Sequence, residues 1–119
     1  MSIGTAPREA VQFGRGAQSF ILLILAQERS YGYGIRHRLE GEFGYENAAD
    51  RGALYRLLRE MEASGLIEST WDIAETGPAR RYYQLTEAGR GELRSGAERL
   101  RRQVTRIDRF FAIYQELQP

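Results

Sequence analysis

The sequence predicts a mainly α-helical chain with one small β-hairpin, and three observations carry that expectation. Apolar residues recur three and four apart over most of the 119 residues. One stretch, Leu66 to Thr86, changes to alternation around a Gly-Pro turn. The last part of the chain carries an apolar seam at heptad spacing.

Taken in order, residues 1–16 contain Pro7, Gly4, Gly14 and Gly16 and no sustained periodicity, which predicts a flexible N-terminal arm with at most a helical turn. From Ala17 to Glu28 the run F-I-L-L-I-L-A is apolar all round and, with its polar flanks, long enough to favour helix over strand. Such a helix needs packing partners on more than one side. Ser30 then precedes a second helix over Tyr31 to Phe43, in which Tyr31, Ile35, Leu39 and Phe43 share a face. Arg36, His37 and Arg38 fall on the other side, where the only histidine reads as a surface residue. Residues Gly44 to Ala49 make a short connection.

The segment Asp50 to Gly65 reads as an amphipathic helix with Leu54, Leu57, Leu58 and Met61 on one stripe. Gly52, Arg56 and Arg59 lie opposite, with Arg51 and Tyr55 on the flanks. Asp50 suits an N-cap, and Gly65 suits the left-handed residue that ends a helix. A helix with small residues at its start and arginines behind them suits the ~12 Å wide major groove of DNA. A solvated arginine face over a core helix is the plainer alternative.

Beyond Gly65, Leu66, Ile67, Trp71 and Ile73 are interspersed with polar residues, as in a strand. Thr76-Gly77-Pro78-Ala79 reads as a turn. Arg80 to Thr86 returns as a second strand, with Arg81, Tyr83 and Leu85 on one face and Arg80, Tyr82 and Gln84 on the other. A hairpin with arginines near its tip, placed after three helices, predicts a winged helix-turn-helix spanning residues 17–86. Arg80 and Arg81 then suit the sugar-phosphate backbone. Residues 87–119 follow as a long helix with Leu93, Ala97, Leu100, Val104, Ile107, Phe111 and Tyr114 in its seam, which predicts dimerisation through this helix.

Composition limits the function. All 17 basic residues are arginine, yet the formal net charge is only +1, so any nucleic-acid surface must come from segregated charge. No cysteine is present, which fits a reducing cytoplasm and rules out disulfide and thiolate chemistry. The longest apolar run, Phe20 to Ala26, is 7 residues, too short to span a bilayer, and no export leader precedes it. A single histidine and no recognisable pair of carboxylates argue against an enzyme, and no metal or cofactor is expected.

Four stretches carry a family resemblance: Y-G-Y-G-I at Tyr31 to Ile35, G-A-L-Y-R-L-L at Gly52 to Leu58, E-A-S-G-L-I at Glu62 to Ile67, and W-D-I-A-E-T-G-P-A-R-R-Y-Y-Q-L-T-E-A-G-R at Trp71 to Arg90. Over roughly residues 16–90 the chain resembles the PadR family of bacterial transcriptional regulators. The resemblance implies a homodimer on a double-stranded DNA operator with an inverted repeat, a repressor role, and release by a small effector. It also implies the single-helix type of dimerisation segment, on which flat aromatic molecules stack between subunits. Phe20, Ile24, Phe110, Phe111 and Tyr114 are the expected lining here, although the same side chains also suit plain packing at the dimer centre. The helix start D-R-G-A departs from the serine, proline and threonine more usual there, so contacts at Arg51 to Ala53 would be particular to this chain. The rival expectation is a dimeric winged-helix module that binds protein instead of DNA.

Overall fold

The computed structural model describes residues 5–45, 51–73 and 77–118, with side chains for all of these except residues 5–15 and Arg51. Seven elements follow in order: α1 (Thr5–Gln27), β1 (Ser30–Tyr31), α2 (Gly32–Gly41), α3 (Arg51–Ala63), β2 (Ile67–Asp72), β3 (Arg80–Leu85) and α4 (Glu87–Leu117). The winged helix-turn-helix expected from the sequence is the fold observed.

Helix α1 is central, touching α2, α3, α4 and β3. Ala17, Ile21, Leu22, Ile24 and Leu25 are buried on several sides of it, as an all-round apolar sequence requires. Ile35 and Leu39 of α2, Leu54, Leu57, Leu58 and Met61 of α3, and Ile67 and Tyr83 of the sheet complete one core. On α3 the buried residues are the four that the periodicity selects.

The end of α3 follows from Gly65, whose φ of +80° only glycine adopts cheaply. Leu66 N–H reaches the Met61 carbonyl and Gly65 N–H that of Glu62, both at 3.0 Å, closing the two nested turns of a Schellman motif. Thr86 then joins this end to α4. Its hydroxyl lies 2.6 Å from the Gly65 carbonyl and 2.9 Å from that of Leu66, and accepts from Gly89 N–H at 3.0 Å as the N-cap of α4. Gly89 is buried, and no larger residue fits, because a Cβ there would stand 2.1 Å from the Leu66 carbonyl oxygen. The L-T-E-A-G run thus has a packing role. It ties the start of α4 to the Gly65 and Leu66 carbonyls.

Four details differ from the sequence expectation. Residues 5–16, expected to form at most a helical turn, belong to α1, which runs from Thr5 through Gly14 and Gly16 despite two glycines that each weaken it. The β element is a three-stranded antiparallel sheet in the order β1-β3-β2, not a bare hairpin. Its extra strand pairs Ser30 with Tyr83 and Tyr31 with Tyr82. Two residues are too few for alternation to reveal a strand, and Tyr31 therefore precedes α2 as its N-cap. Helix α2 itself ends at Gly41, so Phe43 packs against the core from beyond it. The proposed cap at Asp50, part of the connection after α2 and Thr76 of the wing turn lie outside the described residues.

Helix α4 has two unlike halves. Leu93 packs against the core, and Gly96 brings α4 so close to α1 that a Cβ would stand 2.3 Å from Ser19 Oγ. Past Leu100 every described residue is exposed. The 31-residue helix accounts for the elongated outline of 64 × 35 × 24 Å.

Candidate nucleic-acid interface

With its leucine stripe turned inward, α3 presents Gly52, Tyr55, Arg56 and Arg59 to solvent. Arg51 opens the same helix, with its side chain outside the described residues. The outward face of α3 is therefore the one the periodicity predicts. Neither Arg56 nor Arg59 has a carboxylate within ion-pair distance among the described residues. Among the described residues, neither guanidinium group has its donors taken by a carboxylate.

The wing adds the second part. Strands β2 and β3 pair in a register that puts Trp71 opposite Arg81 and Asp72 opposite Arg80. Ile67, Leu85, Ser69 and Tyr83 share the face of Trp71 and Arg81, which turns toward α3. Glu62 of α3 holds that face by accepting from Ser69 N–H at 3.2 Å and Ser69 Oγ at 2.7 Å, and it stands 3.9 Å from Arg81. The Arg81 guanidinium lies 5.0 Å from the Trp71 ring centre. Arg80, on the other face, lies 5.7 Å from the Tyr31 ring and 5.6 Å from the Tyr33 ring. Cation–π contacts of this kind restrict the guanidinium while leaving its edge free to donate.

Tyr31 ties the sheet together from its edge. Its hydroxyl reaches across β3 and donates to the Asp72 carboxylate on β2. That hydrogen bond, with some burial and the carboxylate's own charge, pushes the Tyr31 phenol up to about 12. Tyr83, buried in the core, also has its phenol held above the usual range, chiefly by burial. The same cause raises Tyr45.

Between α3 and the wing these groups enclose an open concavity of about 870 Å³, lined by Tyr31, Gly32, Tyr33, Tyr55, Arg59, Trp71, Arg80, Arg81 and Tyr83. The structure thus brings together Tyr55, Arg59, Arg80 and Arg81, four of the residues selected from the sequence. Of the aromatic walls only Tyr55 was selected, and Tyr31, Tyr33, Trp71 and Tyr83 were missed. Their only signal was the Y-G-Y repeat, whose Gly32 is needed because a Cβ there would stand 2.7 Å from the Tyr55 ring.

The five residues expected to line an effector site are not brought together in the protomer. Ile24 is fully buried in the core of the protomer, because α1 is covered on the side that carries it. Phe20 packs on Phe43 and Tyr45, with ring centres 4.8 and 5.6 Å away. Phe110, Phe111 and Tyr114 form a separate exposed group, with Phe110 5.1 Å from Phe111 and 6.1 Å from Tyr114. Of the predicted seam, Leu93 and Leu100 are half-buried within the protomer, while Ala97, Val104, Ile107, Phe111 and Tyr114 are exposed.

The model of the PadR-like family of transcriptional regulators matches residues 21–95, from α1 through the start of α4. The chain belongs to this family. It is 32% identical over 73 residues to the “Probable transcriptional regulator Rv1176c” of Mycobacterium tuberculosis, covering 61% of this chain and 39% of that one. The chain therefore spans about two fifths of the length of that curated relative. Among solved structures it is similar to the PadR-like transcriptional regulator of Bacillus cereus, at 29% identity and a TM-score of 0.68 over 84% of this chain and 96% of that chain. It is also similar to Bacillus subtilis PadR in complex with operator DNA, at 26% identity and a TM-score of 0.63 over 70% of this chain and 46% of that chain. A PadR-like protein is a transcriptional regulator and not an enzyme. No helix among the described residues is long and apolar enough to cross a membrane.

Proposed function

We propose that this PadR-like chain is a cytoplasmic homodimeric repressor that binds an inverted-repeat DNA operator through α3 and the wing. The observation that carries the reading is the convergence of Tyr55 and Arg59 of α3 with Arg80 and Arg81 of the wing on one concave surface. It is supported by the similarity to Bacillus subtilis PadR, a protein crystallised with its operator. In this reading the Arg51 to Arg59 face of α3 enters the major groove. Small residues at Gly52 and Ala53 let the backbone approach the bases, and Arg56 donates to a base edge. Arg80 and Arg81 grip the flanking phosphates.

The exposed apolar face of α4 supports dimerisation. Val104, Ile107, Phe110, Phe111, Ile113, Tyr114 and Leu117 are 43% to 76% exposed in the protomer, a contiguous patch of the kind that marks an interface. Two copies joined there set two α3 helices about one turn of DNA apart, ~34 to 36 Å. Gel-shift titration at two salt concentrations tests the DNA reading. Arg56→Ala is expected to cost ~1 to 3 kcal/mol and relax specificity at one position, while Arg80→Ala weakens all sequences evenly and lowers the salt dependence. Unchanged affinity in both variants would favour a protein-binding winged helix instead.

A further inference from the structure

The apolar seam of α4 runs between two unlike flanks. At ~100° of rotation per residue, Arg94, Arg101, Asp108 and Gln115 fall on one side of it and Gly96, Gln103, Phe110 and Leu117 on the other. The first flank is polar throughout, while the second turns apolar toward the C-terminus. Their surroundings differ as well. Gly96 and Gln103 border a groove of about 820 Å³ between α1 and α4, lined also by Phe20, Tyr45 and Leu100, whereas none of the four polar-flank residues lines it. Phe110 and Leu117 lie further along the groove-side flank and are 61% and 76% exposed in the protomer. Arg101 and Asp108, also exposed, have no ion-pair partner in the protomer among the described residues.

A second copy of α4 can lie on this seam in either direction, and the flanks distinguish the two. In a parallel pair unlike flanks meet, so Arg101 faces the partner's Gly96 and Asp108 the partner's Gln103, with no opposite charges together. In an antiparallel pair centred between Thr105 and Arg106, Val104 meets the partner's Ile107, Leu100 the partner's Phe111 and Ala97 the partner's Tyr114. Like flanks then meet. Arg101 faces the partner's Asp108 and Asp108 the partner's Arg101, which makes two ion pairs. Sliding the pair by one heptad in either direction would set Arg101 on the partner's Arg101 or Asp108 on the partner's Asp108, so charge selects this register. On the other flank Phe110 faces the partner's Gln103 and Leu117 the partner's Gly96, the two residues that border the groove. Large side chains fall opposite small ones there and at Ala97, as close packing requires. We propose that the groove between α1 and α4 seats the C-terminal half of the partner's α4, in an antiparallel pair held in register by reciprocal Arg101–Asp108 ion pairs. Orientation and register rest on the dimerisation proposed above.

The chain has no cysteine, so introduced thiols report on the pairing directly. Ala97→Cys and Tyr114→Cys, both exposed in the protomer, are co-expressed with different affinity tags, and the mixed dimer is isolated and oxidised beside each variant alone. The mixed dimer is expected to form the disulfide. Each variant alone should not, because in the antiparallel register the two copies of one position stand ~25 Å apart along the helix axis. By sedimentation equilibrium, Arg101→Asp and Asp108→Arg should each weaken dimerisation about tenfold, and the two changes combined in one chain should recover most of it. Phe110→Ala and Leu117→Ala should weaken it by about tenfold or more, with helical content unchanged. Disulfides in either variant alone would overturn the orientation, and a mixed dimer that stays unlinked or a charge exchange that recovers nothing would overturn the register. Full dimer affinity in both alanine variants would leave the groove without its occupant and sink that part. A wild type that sediments as a monomer would take down the dimer reading and this one together, whereas the other outcomes leave dimerisation itself standing.

Discussion

On α3, Leu54, Leu57, Leu58 and Met61 are at most 5% exposed, whereas on α4 Val104, Ile107, Phe111 and Tyr114 are 45% to 56% exposed. Both stripes follow the same three-and-four spacing, and both helices carry arginines on the opposite side. The difference is what lies across from each. Helix α3 is short and returns through Gly65 into a sheet that holds it on α1, so its stripe meets the chain's own core. Helix α4 outruns its domain after Leu100, so the same pattern meets solvent in one protomer. Periodicity alone tells that a face will be buried; only chain length beyond the core tells by whom.

The largest expected effect separates the two stripes by assembly. Ile107→Asp with Phe111→Asp puts two carboxylates per protomer into the proposed interface, where each would be buried without a partner at a cost of several kcal/mol. Sedimentation is expected to show the wild type as a dimer at micromolar concentration and the variant as a monomer. The variant's helical content should stay the same, since both positions are exposed in the protomer. A wild type that sediments as a monomer would mean that the α4 face serves something else.

Next in size is the matching change on α3. Leu58→Ala removes a fully buried side chain from the core and is expected to cost ~2 to 5 kcal/mol of folding stability, read from denaturant titration. Phe111→Ala, measured at a protein concentration below that at which dimers form, should cost ~0.5 kcal/mol or less. Similar losses in the two variants would erase the contrast between the stripes.

Much of this fold could be read from the residues. The buried faces of α2 and α3, the end at Gly65, the faces of β3 and the extent of α4 all follow from spacing and from single residues with strong conformational preferences. What was hidden had weak local signals. Strand β1 is two residues long and exists because Tyr31 and Ser30 find β3, a contact far away in sequence. The early start of α1 runs against its glycines and cannot be read from propensity. For the site, arginines on the outward face of α3 were legible because their face is set by the leucines. Tyr55 was legible on that face too, but the other aromatic walls were not, since Tyr31 and Trp71 come from other elements and meet it only in the folded chain.

Thr86 is the joint between the two contrasted regions, and its loss should have a smaller effect. Thr86→Ala removes the cap on Gly89 N–H and the bonds to the carbonyls that end α3. A cost of ~0.5 to 2 kcal/mol is expected. Thr86→Ser should recover most of it, because the hydroxyl is kept. If serine is no better than alanine, the methyl packing of Thr86 matters and the cap does not.

The smallest expected effect concerns the wing, where exposure keeps every interaction weak. Tyr31 donates to Asp72, and its phenol is pushed up to about 12 from an ordinary value near 10, first by that hydrogen bond. The folded value is raised above the unfolded one, so the tether contributes fully below about pH 10 and is lost as pH rises toward 12. Tyr31 is accordingly expected among the last of the seven tyrosines to ionise when absorbance of the phenolate is followed. Asp72→Asn keeps an acceptor but removes the charge, and should bring one tyrosine back toward the ordinary range. Affinity for DNA at neutral pH should change little in Tyr31→Phe, because Arg80 retains the Tyr33 ring beneath it. A marked loss of DNA affinity in that variant would mean that the tether, more than the arginine itself, sets the position of the wing.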